Sequence, residues 1–137
     1  MNLHNAFQNL NWLAIILASV SAFALGFLWY SVLFAKRWAK ENGLTEESNK
    51  DANMLKIFGL SFLLMILASI TLAMFTGKGA GAQYGAANGF HAGIGFAFTF
   101  IGVTYLFERK SLALFLINGF YSVVSLTLMG LIIGLMQ

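Results

Sequence analysis

The sequence predicts an all-α membrane protein in which four transmembrane helices form an antiparallel bundle. Three observations support this prediction. Of the 137 residues, 59% are hydrophobic and only 9% are charged, whereas a soluble domain has about 25% charged residues. The chain contains four long apolar segments, each close to the roughly 20 residues that a helix needs to cross a bilayer. Two of the three connections between them are short, which favours antiparallel neighbours and a single domain over residues 1–137.

The first span is predicted at residues 12–34, which contain no charged side chain. A cleaved signal peptide is disfavoured because no basic residue precedes this run and because the run is too long. The charged connection that follows occupies residues 35–56. Within it, residues 35–42 can form a short helix, Gly43 suits the left-handed position past its end, and Thr45 can cap a further helix. Two alternatives stay open: a surface helix anchored by Trp38, and a solvated loop.

The remaining spans are predicted at residues 57–76, 84–107 and 111–136. A glycine-rich connection joins the second span to the third, and a turn at residues 108–110 joins the third span to the fourth. Hydroxyl groups within the second span can bond to the preceding helical turn, so they need no special role.

The positions of the basic residues predict the orientation of the spans. Seven of the eight lysines and arginines lie in or beside residues 35–56 and 108–110, and Lys78 is the exception. The positive-inside rule places both basic connections in the cytoplasm and both termini outside. We therefore expect a multi-pass protein of the bacterial inner (cytoplasmic) membrane, with periplasmic termini.

Polar side chains of spans three and four are predicted to form a seam between the two helices. On a wheel of about 100° per residue, the polar residues of each span fall on one stripe. Because unsatisfied polar groups facing lipid cost free energy, the stripes should converge inside the bundle. The predicted seam comprises Tyr84, Asn88, His91, Thr99, Asn118, Ser122 and Ser125.

His91 is the only ionisable side chain deep within an apolar segment. One interpretation makes it a proton relay, a metal ligand or a contact for a solute, because ionisable groups inside membranes commonly have functions. The structural alternative is a neutral His91 that hydrogen-bonds Asn88, Asn118 or Ser122. The sequence does not decide between the two.

Glycines on the neighbouring faces of the same spans predict close helix packing. Small residues spaced four apart allow helix backbones to approach one another in membranes. The packing residues are predicted to be Gly85, Gly89, Gly93, Gly119, Gly130 and Gly134. These faces exceed what one neighbour requires, so we expect a homo-oligomer, with a dimer favoured. We also expect the tightest packing around span three.

Several kinds of chemistry find no support in the sequence. There is no cysteine, and two histidines provide no metal cluster. No carboxylate lies within a span, which argues against a cation-coupled multidrug exporter, and no nucleophile is paired with a base. The glycine run lacks the features of a phosphate-binding loop. We therefore expect no enzymatic activity, no cofactor and no nucleic-acid partner.

The order of these features resembles DUF1761, a family of small bacterial membrane proteins of unknown function. The resemblance rests on residues 11–15 (NWLAI), 26–31 (GFLWYS), Trp38 with 43–47 (GLTEE), 105–112 (YLFERKSL), 116–121 (LINGFY) and 128–130 (LMG). The chain departs from the family pattern at Val32, where members often have Pro, and at Ser122, where they often have His. The resemblance implies a membrane location and about four helices, but no activity.

Two functions are consistent with the sequence. The first is a small permease or channel-like protein that passes a small solute or protons along the polar seam. The alternative is a non-catalytic scaffold or lipid-binding accessory protein, with membrane lipids as partners. In the alternative, basic side chains would bind anionic lipid head groups. Those side chains are Lys36, Arg37, Lys40, Arg109 and Lys110.

Overall fold

The computed structural model describes residues 2–137, and long helices dominate it. Four helices are long and apolar enough to span a membrane, and we call them spans one to four. They are Trp12–Leu33, Met54–Thr76, Ala82–Phe107 and Leu112–Met136. Three short helices lie outside them, at Leu3–Gln8, Ala35–Asn42 and Glu46–Lys50. Because residues 2–137 contain no strand, the predicted all-α class with four membrane spans is confirmed.

Side-chain caps determine where three of the spans begin. The side-chain oxygens of Asn11, Asn53 and Ser111 accept hydrogen bonds from backbone N–H groups three residues further on, at 3.0–3.2 Å. Each cap satisfies an N–H group that the start of a helix leaves without a partner, and replacing such a cap typically costs about 1 kcal/mol. Span three instead begins after Gly81, whose φ of 86° favours glycine.

The charged connection after span one contains two short helices, of which the first packs against the bundle. Ala35–Asn42 ends at Gly43, which has the predicted left-handed conformation, and Thr45 caps the next helix through a reciprocal pair of bonds with Ser48. The first of these helices contacts span four. The Trp38 ring also lies edge-on to Tyr30, with ring centroids 5.5 Å apart. Ala35–Asn42 is therefore a helix docked on the bundle, whereas Glu46–Lys50 is exposed throughout.

Span four lies at the centre of the bundle. It contacts all three other spans, and a larger share of it is buried than of any other span. Spans one and two pack against it and against each other around the fully buried side chains of Ile15, Met129 and Ile133. Span three is the least buried span. Its packing is concentrated on one face, where its backbone touches that of span four, so the expected tight packing around span three holds for that face.

Hydrogen bonds bring the two ends of the chain together at one end of the bundle. The Asn11 amide donates to the Met136 carbonyl at 2.8 Å, and the Gln137 amide donates to the Ala73 carbonyl at 2.9 Å. The start of span one therefore lies beside the ends of spans two and four, as an antiparallel arrangement requires. The orientation of this bundle across the membrane stays a prediction.

Glycine backbones form the interface between spans three and four. A Cβ atom added to Gly93 would lie 2.7 Å from the Val123 Cα, and one added to Gly85 would lie 2.8 Å from the Gly134 Cα. Cβ atoms added to Gly89 and Gly130 would collide with the carbonyl oxygens of Leu126 and Gly85, respectively. Gly119 differs, because it faces the Phe98 ring. These faces, on which the expected dimer rested, pack within one chain, so the dimer stays a prediction without that support.

Two spans contain a segment of π-helix. These segments are Leu28–Leu33 in span one and Gly93–Phe98 in span three. A π-helix closes its hydrogen bonds between residues i and i+5, so it holds more residues per turn than an α-helix. Residues beyond such a segment therefore fall on a different face from the one that a regular wheel assigns. Neither segment contains a proline residue.

We predict that Gly89→Ala destabilises the protein, whereas Gly95→Ala in the same span does not. A methyl group at residue 89 would collide with the backbone of Leu126 and Thr127, whereas the position of a methyl group at residue 95 is open. Overpacking of this kind costs about 1–3 kcal/mol. Thermal unfolding in detergent should show a lower midpoint for Gly89→Ala alone. Equal midpoints for the two variants would contradict the backbone contact.

Candidate functional site

The seven residues of the predicted seam lie in separate places and do not form one seam. Backbone contacts of the glycines fill the interface between spans three and four, so no polar stripe runs along it. Asn88 and His91 face a groove beside span two, and Asn118 belongs to an aromatic cluster near the other end of the bundle. Tyr84 and Thr99 are exposed.

The hydroxyl groups of the seam bond within their own helices. Thr99 donates to the Gly95 carbonyl at 2.9 Å, and Ser122 donates to the Asn118 carbonyl at 3.1 Å. Ser125 is buried and directs its hydroxyl to the Met129 sulfur at 3.8 Å. These three groups are satisfied locally, so none of them links two helices.

A groove of about 660 Å³ separates spans two and three. The two spans contact each other mainly along Ala82–Ala92, the first part of span three, so the groove extends between them beyond this contact. Leu72 and Phe75 line one wall, Phe96 and Phe100 line the other, and Leu126 of span four also lines the groove. The groove is therefore largely apolar and has the volume of a small-molecule site.

Asn88 and His91 are the polar groups that this groove offers to a ligand. They lie three residues apart and share one helix face. Within residues 2–137 neither side chain makes a hydrogen bond, whereas the third polar group of the groove, Thr71, donates to the Leu67 carbonyl at 2.9 Å. The structural alternative for His91, a bond to Asn88, Asn118 or Ser122, is thus not formed in the described chain. An amide and an imidazole remain free in an apolar surrounding.

Asn118 joins three spans through two tyrosines. The Tyr30 hydroxyl of span one donates to the Asn118 Oδ1 at 2.7 Å, and the Asn118 Nδ2 donates to the Tyr105 hydroxyl of span three at 2.7 Å. Both ends of the Asn118 amide are therefore used. Asn118 was predicted to lie in the seam, but its partner Tyr105 was not predicted.

Two further aromatic side chains tie span one to span four beside this network. The Trp29 Nε1 donates to the Ile117 carbonyl at 2.9 Å, and the Tyr121 hydroxyl donates to the Ala22 carbonyl at 3.0 Å. The rings of Tyr30 and Tyr121 lie 5.1 Å apart in an edge-to-face arrangement. Every polar group in this cluster has a protein partner, which indicates a structural role. The sequence signal was the concentration of Trp and Tyr beside the basic connections.

The two basic connections meet at this end of the bundle. The surface helix Ala35–Asn42 contacts span four, and the nearby Ser111 hydroxyl holds the pKa of Glu41 below its ordinary value, helped by Arg37 and Lys40. Arg37 forms an ion pair with Glu41 at 2.7 Å. Arg109 and Lys110 directly precede Ser111, so all five predicted head-group residues lie at one end. In the described part of the chain, no three metal-ligating side chains come together.

We predict that Asn118→Leu destabilises the bundle, whereas Ser122→Ala changes its stability little. Asn118→Leu leaves the partly buried Tyr30 and Tyr105 hydroxyls without their partner, which costs on the order of 1 kcal/mol. Ser122 bonds only to its own helix. Thermal unfolding of both variants in detergent provides the measurement. A midpoint for Asn118→Leu equal to that of the unmodified protein would show that the network contributes nothing to stability.

Comparison with known proteins gives a family for this fold. A family model described as "Protein of unknown function (DUF1761)" matches residues 13–134. A search of the curated proteins and a search of the solved structures each found no match. The match covers both the groove and the aromatic cluster, and the suspected resemblance is thereby confirmed. The chain belongs to the DUF1761 family.

Proposed function

We propose that this protein binds a membrane-dissolved amphiphile in the groove between spans two and three. In this proposal it is a non-catalytic lipid-binding protein of the bacterial inner membrane. One observation carries the proposal: the side chains of Asn88 and His91 are unpaired within residues 2–137 and face an apolar groove of about 660 Å³. Unsatisfied polar groups at membrane depth cost free energy, so a ligand that pairs with them gains affinity.

The depth of these two side chains defines the kind of amphiphile. Span three begins at Ala82, and at about 1.5 Å per residue His91 lies roughly 13 Å along the helix. A bulky phospholipid head group stays at the membrane surface, so it would not reach this depth. The ligand that fits has a small hydrogen-bonding group and a long apolar body, as a fatty acid does. Its carboxyl group would contact Asn88 and His91, and its chain would lie against Phe96 and Phe100.

The basic end of the bundle supports an association with anionic lipids. Lys36, Lys40 and Lys110 form no ion pair within residues 2–137, and Arg37 is the one cation paired there. Basic side chains near an anionic membrane surface contribute about 1 kcal/mol each. These cations would hold the cytoplasmic end of the bundle at the lipid head groups.

We predict that His91→Ala and Asn88→Leu reduce labelling by a photoreactive fatty acid. The purified protein in nanodiscs would be irradiated with a diazirine fatty acid, and mass spectrometry would locate the labelled residues. Labels should concentrate on the groove walls and fall several-fold in either variant, and unlabelled oleic acid should compete.

Thr99→Ala is the matched control for this experiment. Thr99 lies on an exposed face of the same span, and its hydroxyl bonds to its own helix. Its replacement should leave labelling of the groove unchanged. Labels spread evenly over all four spans, or equal loss in the control, would refute the proposed groove.

A proton or small-solute permease is the second candidate. The observation that favours it is the free position of His91, an ionisable group within a span that is open to the groove. Proton movement would be measured with a pH-sensitive dye inside liposomes. A permease predicts flux above that of empty liposomes, loss of flux in His91→Ala and normal flux in Ser122→Ala. Flux that is independent of His91 would remove the basis of this candidate.

A further inference from the structure

A second pocket, distinct from the groove, lies at the end of the bundle opposite the basic connections. It has a volume of about 260 Å³. The N-terminal helix region contributes Asn2, Asn5 and Asn9, the connection after span two contributes Lys78, and Gln137 follows the end of span four. Three separate segments thus bring hydrogen-bonding side chains to one place.

Gln137 provides a hydrogen-bond acceptor that needs a donor. Its Nε2 donates to the Ala73 carbonyl at 2.9 Å, which fixes the orientation of the amide. Its Oε1 is buried and has no partner in the described chain. A buried acceptor without a donor costs about 1–3 kcal/mol, so a group that brings an O–H or N–H to this atom gains affinity.

Lys78 provides a positive charge at the pocket. It is exposed and forms no ion pair within residues 2–137. All five acidic side chains lie between residues 41 and 51 or at residue 108, at the other end of the bundle. Asn5 adds an amide at the pocket that can both donate and accept, since its recorded hydrogen bond uses only its backbone carbonyl.

We propose that this pocket binds a hydroxyl-bearing phosphodiester, the chemistry of a phosphatidylglycerol head group. The Lys78 ammonium would contact the phosphate, a ligand hydroxyl would donate to the Gln137 Oε1, and the Asn5 amide would bond to either group. The pocket lies at the ends of two membrane spans, where lipid head groups occur, and Met74 gives it an apolar edge. A soluble glycerophosphodiester offers the same chemistry. This site does not depend on the proposed ligand of the groove.

The test compares two anionic lipids that differ in their hydroxyl groups. Native mass spectrometry of the detergent-solubilised protein would be carried out with phosphatidylglycerol and with phosphatidylmethanol, which has the phosphodiester but no free hydroxyl. The basic connections attract both lipids through charge alone. A preference for phosphatidylglycerol therefore reports binding in the pocket. We expect a preference of about three- to ten-fold, which corresponds to one hydrogen bond to a buried acceptor.

Variants assign that preference to named side chains. Gln137→Met and Lys78→Gln should each reduce it several-fold, whereas Lys50→Gln, which removes the same charge at the other end, should leave it intact. Asn5→Leu should reduce it too, and this exposed position provides a test that does not depend on the folding of Gln137→Met. Competition by soluble glycerophosphoglycerol would support the pocket with a soluble ligand, and its failure to compete would support a lipid. No preference in the unmodified protein, or equal loss in Lys50→Gln, would overturn the proposal.

Discussion

The backbone contact between spans three and four is the interaction on which the arrangement of this protein depends. Gly85, Gly89 and Gly93 leave one face of span three without side chains, and the backbone of span four occupies that space. Helices in lipid gain little from hydrophobic burial, so close packing of small residues provides much of their attraction. Span three, held to span four in this way, contacts span two mainly along its first part.

The groove results from the different packing of spans two and three against span four. Spans one and two share a core with span four, whereas span three is attached through one face and leaves its opposite side open. Asn88 and His91 lie beside that opening, where no protein group within residues 2–137 pairs with them. The aromatic cluster around Asn118 gives the contrast within the same bundle. Its amide and hydroxyl groups all have partners, so it links helices and leaves little for a ligand to bind.

The sequence predicted the location of the glycine faces but not their partner. Their spacing indicated close packing, and the excess over one neighbour suggested a second copy of the chain. In the structure, Gly85 of span three faces Gly130 and Gly134 of span four. The helical wheel also assigned the wrong face to residues beyond Gly93. There a π-helical segment shifts Thr99 away from the face that carries Asn88 and His91. Neither result was accessible from spacing, since a regular helix was the only geometry that the pattern could represent.

The sequence by itself determined that the chain is helical, that four segments can span a membrane, and that most basic residues lie in two of the connections. These features follow from local composition, because apolar length and capping residues act within a single segment. Only the tertiary structure decided which helix is central, that His91 faces a groove and not Asn118, and that Gln137 and Lys78 line one pocket. Those results depend on how helix faces that are distant in sequence fit together. Four apolar helices in lipid present many faces of similar hydrophobicity, so the packing of side chains and backbones decides which faces meet.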